Sequence, residues 1–140
     1  MSEPNEARLN EHLAAENAHD LERIMATYTS SPTIELNGAR IEGRDAVREF
    51  HRGFGFGADE GASFSGVQVV ERRRHRAAGA IIIEQTLTGS HTGVWRGVAP
   101  TGRAISIAVC TVYAVADGML ARESVYLDEG RIRHELTKRD

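Results

Sequence analysis

Apolar positions along the chain change their period between its first part and its second. Early on they recur at helical spacing. Leu9 and Leu13 fall four apart behind Ser2, Pro4 and Glu6, which predicts a first helix over residues 4–16 with Ser2 as its cap. Leu21, Ile24, Met25 and Tyr28 follow the i, i+3, i+4, i+7 rule after a capping stretch, Asn17-Ala18-His19-Asp20. They predict a second helix ended by Ser30-Ser31-Pro32. Residues 33–36 and 39–42 flank Asn37-Gly38, a pair suited to the positive φ angles of a tight hairpin. Ala46, Val47 and Phe50 then share one face of a short third helix over residues 44–52.

Glycines at 53, 55, 57 and 61 mark a loop, with Phe54 and Phe56 set between them as a candidate flap. Beyond it the pattern becomes that of long strands, over residues 63–73, 78–89, 104–116 and 119–128. Asp117-Gly118 joins the last two, and Pro100-Thr101-Gly102 supplies a turn before them. Helices first and antiparallel strands afterwards imply an α+β domain with the helices gathered on one face of a curved sheet.

Composition narrows this picture. The chain has 140 residues, 41% of them hydrophobic, enough for one core and too few for two ordinary domains. A net charge of −3 offers no long-range attraction to nucleic acid or to an anionic membrane. No apolar stretch approaches the ~20 residues of a membrane span, and the N-terminus lacks a signal-peptide pattern, so the expected location is the cytoplasm. Cys110 is the one cysteine, and the six histidines show no metal-ligand spacing, so neither a metal nor an organic cofactor is expected. The basic run Arg72-Arg73-Arg74-His75-Arg76 is expected at a solvated hairpin tip, and residues 131–140 as a frayed, charged tail.

Candidate chemistry lies in a few places. Alternation on the last strand puts Arg122, Ser124, Tyr126 and Asp128 on one face, taken as the face toward a pocket, with Val125 and Leu127 on the other. Asp128 also precedes Glu129-Gly130, the setting of an exposed turn residue. Tyr126 offers a hydroxyl to a substrate oxygen. His91 offers an imidazole that titrates in the useful range, beside glycine and threonine that equally suit a solvated turn. Glu35 and Glu84 are carboxylates among apolar neighbours. Tyr28, Phe50, Phe54 and Trp95 are aromatics able to line an apolar ligand site. Ile105, Ile107, Val109, Tyr113 and Val115 are read as an outer face of their strand that meets helices or a second copy, so a homodimer formed through the sheet is expected.

The order helix, helix, hairpin, helix, four strands resembles the nuclear-transport-factor-two-like superfamily, also described as a cystatin-like roll. Ile41-Glu42-Gly43-Arg44-Asp45-Ala46-Val47 is similar to that superfamily's step from second strand to third helix. His91-Thr92-Gly93 through Pro100-Thr101-Gly102-Arg103 resembles a segment of the SnoaL-like polyketide cyclases, and 117–128 resembles their closing hairpin. The resemblance implies a cone-shaped curved sheet packed against three N-terminal helices, with a pocket for a small apolar carbonyl or cyclic compound. It further implies cofactor-independent proton transfer with Asp128 as base and His91 or Tyr126 on the substrate oxygen. A dehydratase-like or epoxide-hydrolase-like activity and a non-catalytic ligand-binding or dimerisation module are the alternatives. The strand Ala104–Ala116 carries no histidine where the cyclases' partner histidine is expected.

Overall fold

The computed structural model describes residues 3–58 and 60–139. Ser2, expected as a helix cap, and Asp59, in the expected flap, lie outside the described residues. Helix α1 (Glu3–Asn17) buries one stripe, Leu9, His12, Ala15 and Glu16, at helical spacing. Asp20 caps α2 (Leu21–Met25), its carboxylate accepting from the Arg23 N–H at 3.1 Å.

The second helix is shorter than its periodicity suggests. Tyr28 opens strand β1 (Tyr28–Leu36), because the chain turns at Ala26-Thr27, where the Thr27 hydroxyl donates to the Ile24 carbonyl at 2.6 Å. Pro32 lies within this strand instead of ending a helix. Its missing N–H is tolerated because the register between β1 and its parallel neighbour is interrupted between Tyr28 and Thr33.

Strand β2 (Ala39–Glu42) completes the expected hairpin, and α3 (Arg44–Phe54) extends two residues past its expected end. Four long strands follow: β3 (Phe64–Ala77), β4 (Ala80–His91), β5 (Ala104–Ala116) and β6 (Met119–Leu127). They form one six-stranded sheet in the order β2-β1-β6-β5-β4-β3, antiparallel throughout except for β1 against β6. The architecture is the expected α+β one, a curved sheet with helices α1–α3 over its concave face.

Three expectations are corrected. Residues 129–137 are not a frayed tail but a fourth helix, α4 (Glu129–Thr137), whose Ile132 and Leu136, one turn apart, are buried. The basic run lies inside β3, where Arg74 and Arg76 pair with Glu6 of α1 and Arg73 and His75 pair with Glu84. The Glu6 pairs tie the sheet to the first helix, and the Glu84 pairs join β3 to β4. Ile105, Ile107, Val109 and Tyr113 point into the core, so they are not an outer face, and the face turned outward carries Ala104, Ser106 and Ala108. Among the described residues no helix is long and apolar enough to cross a membrane.

Candidate functional site

Four ionisable side chains meet where the helices cross the sheet. His12 and Glu16 stand one turn apart on α1, His51 lies four residues after Val47 on the buried face of α3, and Glu123 projects inward from β6. Each is buried, and one ligating atom from each lies within 4.8 Å of all the others. His12 Nε2 is 3.1 Å from Glu123 Oε1 and 3.5 Å from Glu16 Oε2, and His51 Nε2 is 3.4 Å from Glu16 Oε2.

Neighbours fix the orientation of each ring. His51 Nδ1 faces the Val47 carbonyl at 2.9 Å, an acceptor only, so that nitrogen carries a proton. His12 Nδ1 faces Thr27 Oγ1 at 2.9 Å; the Thr27 proton is already given to Ile24, so His12 Nδ1 is the donor there too. Tyr28 donates its hydroxyl to Glu123 Oε1 at 2.9 Å.

Burying charge in this way is costly unless it is paired. Burial alone pushes the His12 imidazole down, but Glu16 and Glu123 beside it outweigh burial and hold it up at about 10. Burial likewise pushes Glu16 up, and His12 and His51 reverse this, leaving it at about 2. Burial and the Glu123 charge push the Tyr28 and Tyr113 hydroxyls well above their ordinary value, so both remain donors.

Glu16, Glu123, Tyr113, Thr111 and Gln85 line the floor of a narrow cavity of about 40 Å³, whose walls are otherwise apolar. Phe50, Phe54 and Leu127 separate it from a wider mouth of about 380 Å³, lined also by Trp95, Ile41, Ile132 and Glu129. The mouth is framed by α4 and the 92–103 segment. An Arg96–Glu129 ion pair of 2.9 Å and a bond from Arg133 to the Arg96 carbonyl join the two.

The structure brings together some of the expected site residues and disperses others. Phe50, Phe54 and Trp95 line the cone, and Tyr28 lies beneath its floor. Asp128 is exposed and caps α4, accepting from the Arg131 N–H at 3.0 Å. The inward face of β6 is that of Glu123, Val125 and Leu127, so Tyr126, 53% exposed, also points away from the cone. Glu35 shares the outer face with Ser124, which donates to it at 3.0 Å. His91 is buried outside the cavity, where its Nδ1 accepts from the Thr101 N–H at 3.2 Å and fastens the ends of the 92–102 excursion. Within the expected flap, Phe56 is buried against His51.

His12, Glu16, His51 and Glu123 were missed by sequence reasoning, although one signal was present. His12 and Glu16 fall on the same helical stripe as Leu9, and His51 on that of Val47, so each is a polar residue at a core position.

The sequence profile of the SnoaL-like domain matches residues 9–123, a span that contains every member of the buried cluster. The chain belongs to the SnoaL-like domain family. Solved structures agree with this SnoaL-like assignment at the level of fold. A candidate SnoaL-like polyketide cyclase from Jannaschia sp. CCS1 superposes with a TM-score of 0.85 at 18% identity, covering 98% of this chain and 94% of that one. A protein with a ketosteroid isomerase-like fold from Catenulispora acidiphila, solved with trimethylamine, gives 0.75 at 14% identity over 92% and 91%. An epoxide hydrolase of the LEH-like type from M. tuberculosis gives 0.71 at 19% identity over 95% and 89%. No curated protein matches this SnoaL-like chain.

Proposed function

We propose that this SnoaL-like chain is an enzyme that takes a small, largely apolar carbonyl or cyclic compound into its cone and moves a proton at it. The observation that supports this most directly is the pair of buried carboxylates, Glu16 and Glu123, facing the floor of an otherwise apolar cavity beside the Tyr113 hydroxyl. In this reading a carboxylate oxygen takes the proton, and Tyr113 donates a hydrogen bond to the substrate oxygen where negative charge develops. Water exclusion by Phe50, Phe54 and Leu127 strengthens both interactions. Activation of water by the same carboxylates, as a hydrolase of epoxides needs, uses the same floor. A fold shared with cyclase-like and hydrolase relatives supplies no substrate.

The test is solvent-deuterium exchange at carbon α to the carbonyl, followed by NMR over a panel of small cyclic ketones. Glu123→Gln is expected to slow exchange by at least about 100-fold, the usual size of a positioned acid–base group, while Asp128→Ala leaves it unchanged. Loss with Asp128→Ala and none with Glu123→Gln would return the chemistry to the strand end. The narrowness of the floor favours a second reading, a silent ligand-binding module. Ketones that perturb cone resonances without exchanging deuterium are its expected result.

A further inference from the structure

We propose that His12, Glu16, His51 and Glu123 bind one divalent transition-metal ion, with zinc the ion that suits this donor set. Two imidazole nitrogens and two carboxylate oxygens are donors that zinc accepts in four-coordinate sites. Four donors about 2.0–2.1 Å from a tetrahedral ion stand about 3.3–3.4 Å from one another. The three histidine–carboxylate separations of 3.1, 3.4 and 3.5 Å bracket that value, and all four atoms lie within 4.8 Å of one another, so binding draws the remaining pairs inward.

Hydrogen-bond geometry gives a second, independent indication. His12 Nε2 and His51 Nε2 are wholly buried and aimed at the carboxylates, yet neither makes an aligned hydrogen bond. Both rings commit an Nδ1 proton to Thr27 and to the Val47 carbonyl, so Nε2 is the ligating atom toward the cluster once the metal displaces any proton it carries. This is the arrangement that metal-ligating histidines adopt, with an outer acceptor fixing the tautomer. Tyr28 supports Glu123 in the same way.

Charge is consistent with this. Two carboxylates are neutralised by one divalent cation as completely as by two imidazolium protons, without burying a net charge. The contacts use one oxygen of each carboxylate, Glu16 Oε2 and Glu123 Oε1, and both residues also line the cavity. The ion would therefore adjoin the cavity floor as a closed, four-ligand site that holds α1, α3 and β6 together. Metal binding itself does not depend on the proton-transfer reading, and the two can fail separately.

The experiment uses the full, untagged chain, stripped with a chelator, dialysed and titrated with zinc chloride. Metal content is measured after desalting, without substrate, and cobalt(II) replaces zinc for an absorption spectrum. One zinc per chain and a tetrahedral cobalt spectrum are expected. Glu123→Gln and His51→Gln should each raise Kd by at least about 100-fold, while His91→Gln, a buried histidine outside the cluster, leaves it unchanged. Circular dichroism checks each variant's fold. If His51→Gln does not fold, Thr27→Val, which removes the acceptor behind His12 together with the hydroxyl's bond to the Ile24 carbonyl, should raise Kd about 10–100-fold. Retention of no zinc above the buffer level, or binding indifferent to Glu123→Gln, would overturn the proposal and leave a purely protonic cluster.

Discussion

Gly55 leaves α3 with φ +137°, and a Cβ built there would lie 2.3 Å from the Phe64 carbonyl oxygen. Backbone meets backbone at that point, so no side chain can rotate out of the way. Gly55→Ala is expected to cost at least about 2 kcal/mol in urea unfolding, combining strain with overpacking. Glu16 is a different kind of residue, because deleting its charge strands two imidazoles aimed at it. Glu16→Ala should destabilise the fold by about 3–5 kcal/mol, the cost of breaking a buried ion pair from one side. If equilibrium unfolding shows a loss under about 1 kcal/mol, as for an exposed pair, solvent already compensates the cluster. At this scale the sequence was only partly legible. Leu9 and Val47 were recognisable as core by their spacing, but His12, Glu16 and His51 occupy the same stripes and were passed over because polar residues are usually outside. The partners that make their burial tolerable come from other parts of the chain, which spacing along one helix cannot display.

Strand β6 shows how one choice of phase decides an element. Its length and hairpin were readable from Asp117-Gly118 and the apolar alternation, yet alternation gives two faces without saying which is inside. Taking Tyr126 and Asp128 as the inner set reversed the strand, and Glu123, the one carboxylate on the true inner face, was lost with it. Asp128 belongs to the next element. As the cap of α4 it should be worth about 1 kcal/mol, so Asp128→Ala is expected to lower the unfolding midpoint modestly while sparing the cone. Helix α1 is fastened to β3 by Glu6, whose carboxyl the Arg76 and Arg74 guanidiniums hold below its ordinary 4.5. A depressed folded-state value means stability present above pH 4.5 and lost as pH falls through the lowered value. The stability gap between the native chain and Glu6→Gln should therefore be constant at neutral pH and close below 4.5. A gap unchanged in acid would mean that the pairs do not fasten the helix.

For the molecule as a whole, the fold was the most legible part, because the first three helices, the hairpin positions and four long strands all follow from local period and turn chemistry, while α4 was missed. The cone, its mouth and its floor were not, since they come from sheet curvature and from α4 meeting the 92–103 segment. Dimerisation remains our proposal on a revised footing: the outward sheet face carries small residues, Ala104, Ser106 and Ala108, together with exposed Val70 and Tyr126. Light scattering coupled to size exclusion is expected to give twice the chain mass, and Tyr126→Glu to give the monomer; a monomeric native chain would remove sheet-to-sheet pairing.

Because the buried cluster draws His12 and Glu16 from the first helix and Glu123 from the last strand, it joins the two ends of the family's span. No chain that stops before β6 can contain the centre. A polypeptide stopped before β6 has two imidazoles and a single carboxylate to offer, and a refolding molecule acquires the full set only when its last strand enters the sheet between β1 and β5. Whatever this centre does can therefore serve as a readout of finished folding.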